Sequence, residues 1–291
     1  MGPKERPKIP INPTSPLNLG ASVVLKRMHL KDEQLERYAR HIILREVGGT
    51  GQAKLLDARV LVVGAGGLGS PLILYLAAAG VGTIGVVDFD IVSLSNLQRQ
   101  IAHGTSDVGR LKTDSAADAV RHINPETRLI SHPVRIGAAN AHDLVSSYDI
   151  IADGSDNFAT RFLVADACYF SKRSLVSAAV TQFDGQLATF KAHAGDYPCY
   201  RCLFPAPPPP EEAPNCSEAG ILGAAAGVMG ALQALEVMKE IIGLGESLAG
   251  RLVIYDALGG QFRNVKVPRD PKCALCGEAP TIHDLSIHRS G

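Results

Sequence analysis

Two short apolar runs, Val60 to Val63 and Thr83 to Val87, flank an unbroken apolar segment of helical length, Leu68 to Ala79. Runs too short for a helix and rich in β-branched residues read as buried strands, and the longer segment as a buried helix. Between the first strand and the helix lies Gly64-Ala65-Gly66-Gly67-Leu68-Gly69, and the second strand ends on Asp88. Strand, glycine turn, helix, strand and acid in this order predict a nucleotide-binding βαβ unit. Glycines let the backbone approach a phosphate, and the helix N-terminus turns N–H groups and the positive end of its dipole toward it. Asp88, at a strand tip, is placed to accept ribose hydroxyls. The motif alone leaves NAD, FAD and ATP open.

The rest of the pattern continues in the same style. Residues 1–29 are rich in Pro, Lys and small side chains and are expected to be mobile or extended. A helix is predicted from about Leu30, with Leu35, Tyr38 and Ile42 on one stripe and Gly48-Gly49 ending it. After Asp88 comes a long polar loop, Ser93 to Thr113, without a clear period. Helices are predicted over Lys112 to His122, Asn140 to Ser146, Asn157 to about Ser171 and Glu218 to Ile242. Strands are predicted over Leu129 to Val134, Tyr148 to Ala152 and Ser174 to Ala179. Gln186 to Ala192 alternates and reads as an edge or hairpin strand, and Arg251 to Tyr255 with Gln261 to Val267 as an antiparallel pair. The expected fold is α/β: a Rossmann-like, mainly parallel sheet flanked by helices, with antiparallel strands added near the C-terminus. One domain is expected over residues 30–291, with a proline-rich crossover at about 204–217.

Composition narrows the partners. The chain has 291 residues and zero formal net charge, so a broadly basic nucleic-acid surface is not indicated. The most apolar long run, Ala219 to Leu232, continues into Glu236, Lys239 and Glu240 and reads as a buried helix, not a membrane span. The N-terminus lacks the pattern of a signal peptide. Four of the six cysteines form Cys-x-x-Cys pairs, which suits a reducing, cytoplasmic setting.

The polar loop offers Asn96, Arg99, Gln100 and Lys112 at the strand ends where α/β proteins bind ligands. A guanidinium that grips two oxygens and an ammonium point charge suit a triphosphate better than NAD. The strand before Asp153-Gly154-Ser155-Asp156-Asn157 brings further acids to the same end. Asp156 is a candidate magnesium ligand, and helix capping by Asp156 or Asn157 is the equal alternative. Cys199, Cys202, Cys273 and Cys276 form a four-cysteine zinc pattern that ties two distant segments and leaves no open position for catalysis. Cys216 precedes the predicted helix at Glu218. A thiol there is either activated by the helix N-terminus or an ordinary surface cysteine.

Taken together, GAGGLGSP, DFDIVSLSNLQRQ, the SDN at Ser155 to Asn157, PCYRCLFP, NCSEAG and CALCG resemble the molybdopterin-synthase adenylyltransferases, the MoeB family. Thiamine-pathway ThiF proteins and the adenylation domain of ubiquitin-activating enzymes are close relatives of that family. The resemblance runs from about Asp32 to Gly277 and implies ATP-dependent adenylation of a ubiquitin-like sulfur-carrier protein ending in Gly-Gly, with release of pyrophosphate. By motif, it implies that Gly67 contacts the phosphates and Asp88 holds the ribose. It implies that Ser95, Asn96, Leu97, Gln98, Arg99 and Gln100 surround the triphosphate, that Lys112 grips it, and that Asp156, beside Asn157, holds magnesium. Arg40, in RYARHI, matches an arginine that reaches the partner subunit's site, which implies a homodimer. The four paired cysteines match structural zinc ligands, and Cys216 matches a cysteine that some members link covalently to carrier or sulfur. A separate sulfur donor is expected. The sequence does not choose among molybdopterin, thiamine and tRNA-thiolation carriers. An NAD-dependent oxidoreductase and a non-catalytic partner-binding dimer are the competing readings; Arg99, Lys112 and the cysteine pairs weigh against the first.

Overall fold

A computed structural model of the chain describes residues 30–208 and 220–289. The expectations for residues 1–29, for Cys216 and for most of the crossover lie outside the described residues. The first predicted helix is divided. Helices α1 (Asp32–Arg37) and α2 (Ala39–Ile42) meet at Tyr38, and α3 (Gly48–Asp57) follows. Gly48 and Gly49, expected to end a helix, begin one instead. Gly48 reverses the chain with a φ of +58°, a left-handed value that costs glycine little. The glycine-poor-helix rule is then overridden by packing, because α3 buries Gln52 and Leu55 against its neighbours. Tyr38 is buried, and its hydroxyl accepts a hydrogen bond from Asn124 Nδ2 at 2.8 Å. His41 Nδ1 donates to Gln52 Oε1 at 2.9 Å. These contacts fix α2 on the body.

The predicted βαβ unit is present as β1 (Arg59–Val63), α4 (Gly69–Ala78) and β2 (Thr83–Val87). The polar loop that follows holds two short 3-10 turns, Leu94–Asn96 and Thr105–Asp107. Next come α5 (Lys112–Ile123), β3 (Arg128–His132), α6 (Ala141–Ser146), β4 (Ile150–Asp153), α7 (Phe158–Phe170) and β5 (Ser174–Thr181). The chain then gives β6 (Asp184–Phe190), a short α8 (Tyr200–Leu203), α9 (Gly223–Ile242), β7 (Arg251–Asp256) and β8 (Gln261–Lys266).

The strands form one sheet in the order β3-β2-β1-β4-β5-β6-β7-β8. β1 to β5 are parallel, and β6 to β8 are antiparallel additions. β6 is a hairpin strand, as one of the two expectations had it, but it is not an edge: it pairs with β5 and with β7. Its last four residues are all buried, which ends the alternation that suggested an open side. Alternate residues of β1 serve two cores. Val60 and Val62 pack with Leu72 and Ile73 of α4 and with Met229 and Val237 of α9. Leu61 and Val63 pack with Val145 of α6 and Phe162 of α7. Helices thus cover both faces, as a parallel sheet requires. Each fully buried Leu or Ile contributes about 1.5–3 kcal/mol of burial. Among the described residues no helix is long and apolar enough to cross a membrane.

Candidate functional site

The strand order reverses at β1, which sits between β2 and β4, so the C-terminal ends of these parallel strands open a crevice. A cavity of about 710 Å³ fills it, and its walls include Val63, Val87, Gly154 and Asp156. The glycine turn forms one wall through Gly66 and Gly67. This turn is tight: a Cβ on Gly69 would overlap the carbonyl oxygen of Gly64, so the helix begins there only with glycine. Asp88 holds the turn from the other side. Its Oδ2 accepts from Ala65 N and its Oδ1 from Asp90 N, each at 2.8 Å.

The cations expected for phosphate binding lie on this wall. Lys112 is the first residue of α5 and is only 6% exposed, yet it borders the cavity, and its Nζ pairs with Asp90 Oδ2 at 2.9 Å. A buried ammonium with one carboxylate partner keeps donors for a second anion. Arg99 borders the cavity and donates from Nη1 to Ser95 O at 3.0 Å. Gln100 and Ser155 are buried in the same lining, and Gln100 Oε1 and Ser155 Oγ have no hydrogen-bond partner among the described residues.

Asn157 caps α7, accepting from Thr160 N at 2.9 Å. That leaves Asp156 exposed on the cavity wall, with its carboxylate open to a hard cation. Gly67, Asp88, Arg99, Gln100, Lys112, Asp156 and Asn157 are therefore gathered around one cavity. Ser95 and Asn96, in the neighbouring 3-10 turn, and Leu97 and Gln98, just after it, do not line the cavity; Asn96 Oδ1 instead accepts from Ser93 N. Arg40 is exposed on α2 and is not part of the lining.

Other lining residues were not singled out from the sequence. Arg161 donates to the carbonyls of Ser155 and Ala178 and lies 3.9 Å from buried Asp153. Its signal is a charged residue inside a buried apolar helix. The Arg135 guanidinium sits 4.1 Å over the Phe89 ring. At the far end Arg201 makes a two-pronged ion pair with buried Asp166, at 2.8 Å through both Nε and Nη2, and His288 Nε2 lies 2.8 Å from the same carboxylate. Arg201 was hidden inside a Cys-x-x-Cys spacing, and His288 in a tail that reads only as short and polar.

Cys199, Cys202, Cys273 and Cys276 converge, with all four sulfurs within 4.8 Å of one another. Neighbouring sulfurs lie 3.4 to 3.8 Å apart. Four thiolates around one zinc at about 2.3 Å would lie roughly 3.8 Å from each other. Hydrogen bonds from Cys199 and Cys276 push the Cys202 thiol down, while hydrogen bonds to Cys202 and Cys276, with burial, push Cys199 up; metal binding would deprotonate all four. Asp270 N also points at Cys202 Sγ, at 3.4 Å.

A model of the ThiF family matches residues 38–275. The bovine protein named adenylyltransferase and sulfurtransferase MOCS3 is 47% identical over 290 residues, which cover 99% of this chain and 61% of that protein. The sulfur carrier protein adenylyltransferase of Thermus thermophilus is 48% identical over 261 residues, covering 89% of this chain and 96% of that one. The chain thus spans about three fifths of the bovine relative and nearly all of the bacterial one. Among solved structures, the crystal structure of E. coli MccB with ATP superposes with a TM-score of 0.72 at 23% identity, over 82% of this chain and 74% of that one. The last comparison supports the fold alone.

Proposed function

Because the chain belongs to the ThiF family, we propose that it adenylates the C-terminal carboxylate of a ubiquitin-like sulfur-carrier protein ending in Gly-Gly, with ATP as co-substrate. The observation that carries this reading is the meeting of Arg99, Lys112 and the glycine turn on one wall of the cavity. Asp88 takes the ribose, the turn's N–H groups meet the phosphates, and Lys112 and Arg99 spread their charge over the triphosphate. A magnesium ion would be held by Asp156 and would neutralise phosphate charge. The attacking carboxylate is already ionised at neutral pH, so no general base is required. Its oxygen bonds to the α-phosphorus as the bond to the bridging oxygen breaks and pyrophosphate leaves. The obstacle is repulsion between two anions, and fixed cations and alignment reduce it. The four cysteines would hold zinc as a structural ion, which would leave no position open for catalysis. Paired thiols that serve as metal ligands suit a reducing compartment such as the cytoplasm.

The active form is read as a homodimer in which Arg40 of each subunit completes the other's site. Tyr38 and His41 lock α2 to the body while Arg40 points outward. Leu35, Ile43 and Leu44 beside it are exposed, as are Tyr75 on α4 and Leu235 on α9. Exposed apolar side chains of this number fit a surface covered by a partner.

Pyrophosphate–ATP exchange tests the reaction. Exchange should depend on a Gly-Gly-ending carrier; its absence with every carrier, despite bound ATP, overturns the reading. Arg40→Ala and Lys112→Ala should each abolish exchange alone. Mixed and allowed to re-associate, they should regain about one quarter of the parental activity, because half the dimers then hold one intact site. No recovery, with re-association demonstrated, excludes the shared site.

A further inference from the structure

Three separate stretches supply the phosphate-binding wall: the glycine turn, the turn that carries Arg99 and Gln100, and the start of α5 at Lys112. One buried residue touches all three. His103 is 7% exposed and does not line the cavity. Its backbone N–H closes the Arg99–Gln100 turn by donating to Gln100 O at 3.1 Å. Its ring Nε2 lies 3.0 Å from the carbonyl oxygen of Ala65, inside the glycine turn. Its Nδ1 lies 2.8 Å from Ser115 Oγ, one turn of α5 beyond Lys112. The Ala65 peptide is thereby held at both ends, its N–H by Asp88 and its carbonyl by His103.

The protons of this chain of bonds can be assigned. A carbonyl only accepts, so Nε2 carries the hydrogen. The Ser115 hydroxyl has one proton and two neighbours that accept, His103 Nδ1 at 2.8 Å and Asp107 Oδ2 at 2.9 Å. The Asp107 carboxylate is already served by Gly104 N at 2.8 Å and Arg110 Nη1 at 2.6 Å. Burial lowers the His103 pKa below its ordinary value, the Ala65 carbonyl opposes this, Lys112 reinforces it, and Asp107 and Asp88 oppose it. The Ser115 proton goes to the Asp107 carboxylate, and the lowered pKa leaves the His103 ring neutral with its hydrogen on Nε2, donating to Ala65 O.

We propose that His103 is a positioning residue for the triphosphate, locking the glycine turn and the Lys112 helix in one register through its two ring nitrogens, beside the Arg99–Gln100 turn that its backbone N–H closes. This rests on the reading of the cavity as an ATP site. The two are separated by direct titration of the full-length parent chain with magnesium-ATP. If the parent does not bind, the site reading fails; if it binds, the variants decide on His103.

His103→Gln keeps a donor for Ala65 O and a polar group beside Ser115 Oγ, whereas His103→Ala loses both. His103→Ala should weaken ATP binding and raise the ATP KM in exchange by roughly ten- to a hundredfold, since small misplacements of binding groups cost that much. His103→Gln should restore most of the loss. Ser115→Ala, which cuts one link, should fall between them with an unchanged melting temperature. Binding and exchange within twofold of the parent in His103→Ala would overturn the proposal, and so would a loss that glutamine does not restore. Should His103→Ala fail to fold, Ser115→Ala and His103→Gln decide: a parent-like ATP KM in Ser115→Ala counts against it. Nitrogen NMR of the ring should show hydrogen on Nε2; the opposite tautomer contradicts the assignment.

Discussion

Tyr38 shows how a single residue sets the reach of a distant one. Its ring is buried, its hydroxyl meets Asn124, and the next turn of chain presents Arg40 to solvent. Tyr38→Phe removes one buried hydrogen bond and keeps the ring. It should cost about 1 kcal/mol in urea unfolding, because Asn124 Nδ2 retains Ala77 O at 2.8 Å. A loss near zero would mean that the hydroxyl does not anchor α2. At this scale, residues marked by local context were legible: Asp88 ends a strand, and Lys112 opens a helix after a polar loop. His103, Arg161 and Arg201 were not. Each acts through contacts with residues distant in sequence, and nothing beside His103 in the chain announces Ala65 or Ser115.

At the scale of elements, legibility followed the hydrophobic period. The βαβ unit and the paired strands near the C-terminus carry strong patterns, and their bounds differ little from expectation. The stretch Gly48–Asp57 carries a weak one, because its glycines are poor helix formers and only burial of Gln52 and Leu55 holds it. The interior position of β6 was hidden because the pairing of β7 with it is a long-range event. The metal cluster belongs to this scale too, since it ties α8 to the segment after β8. Cys273→Ser should lower bound zinc, measured by elemental analysis of the purified chain, from one per chain toward zero. It should also lower the melting temperature, since metal binding free energy is folding free energy. Parental stability in a variant without metal would show that the cluster does not hold the two segments.

The whole molecule carries a pH dependence of definite sign. Burial lowers the pKa of His103, His132 and His193 below the ordinary 6.5. The folded chain therefore binds fewer protons than the unfolded chain just below pH 6.5, and stability rises with pH there. This contribution is fully present above 6.5 and is lost as pH falls through the lowered folded values. Melting temperatures recorded between about pH 5 and pH 7.5 should fall on the acid side, and His103→Gln should flatten part of that fall. A flat profile would mean that these rings are not desolvated.

The placement of α9 has one more consequence, for the chain as it leaves the ribosome. The parallel strands and β6 are complete by Phe190, but the face of β4, β5 and β6 is covered by a helix that ends at Ile242. At roughly 5–20 residues per second, the helix follows the last of these strands by about 3–10 s. For that interval Val176, Ala178 and Leu187, all buried against α9 in the finished protein, face the cell without a cover. A nascent chain stalled shortly after Phe190 should be held by chaperones, and one stalled well beyond Ile242 should be released.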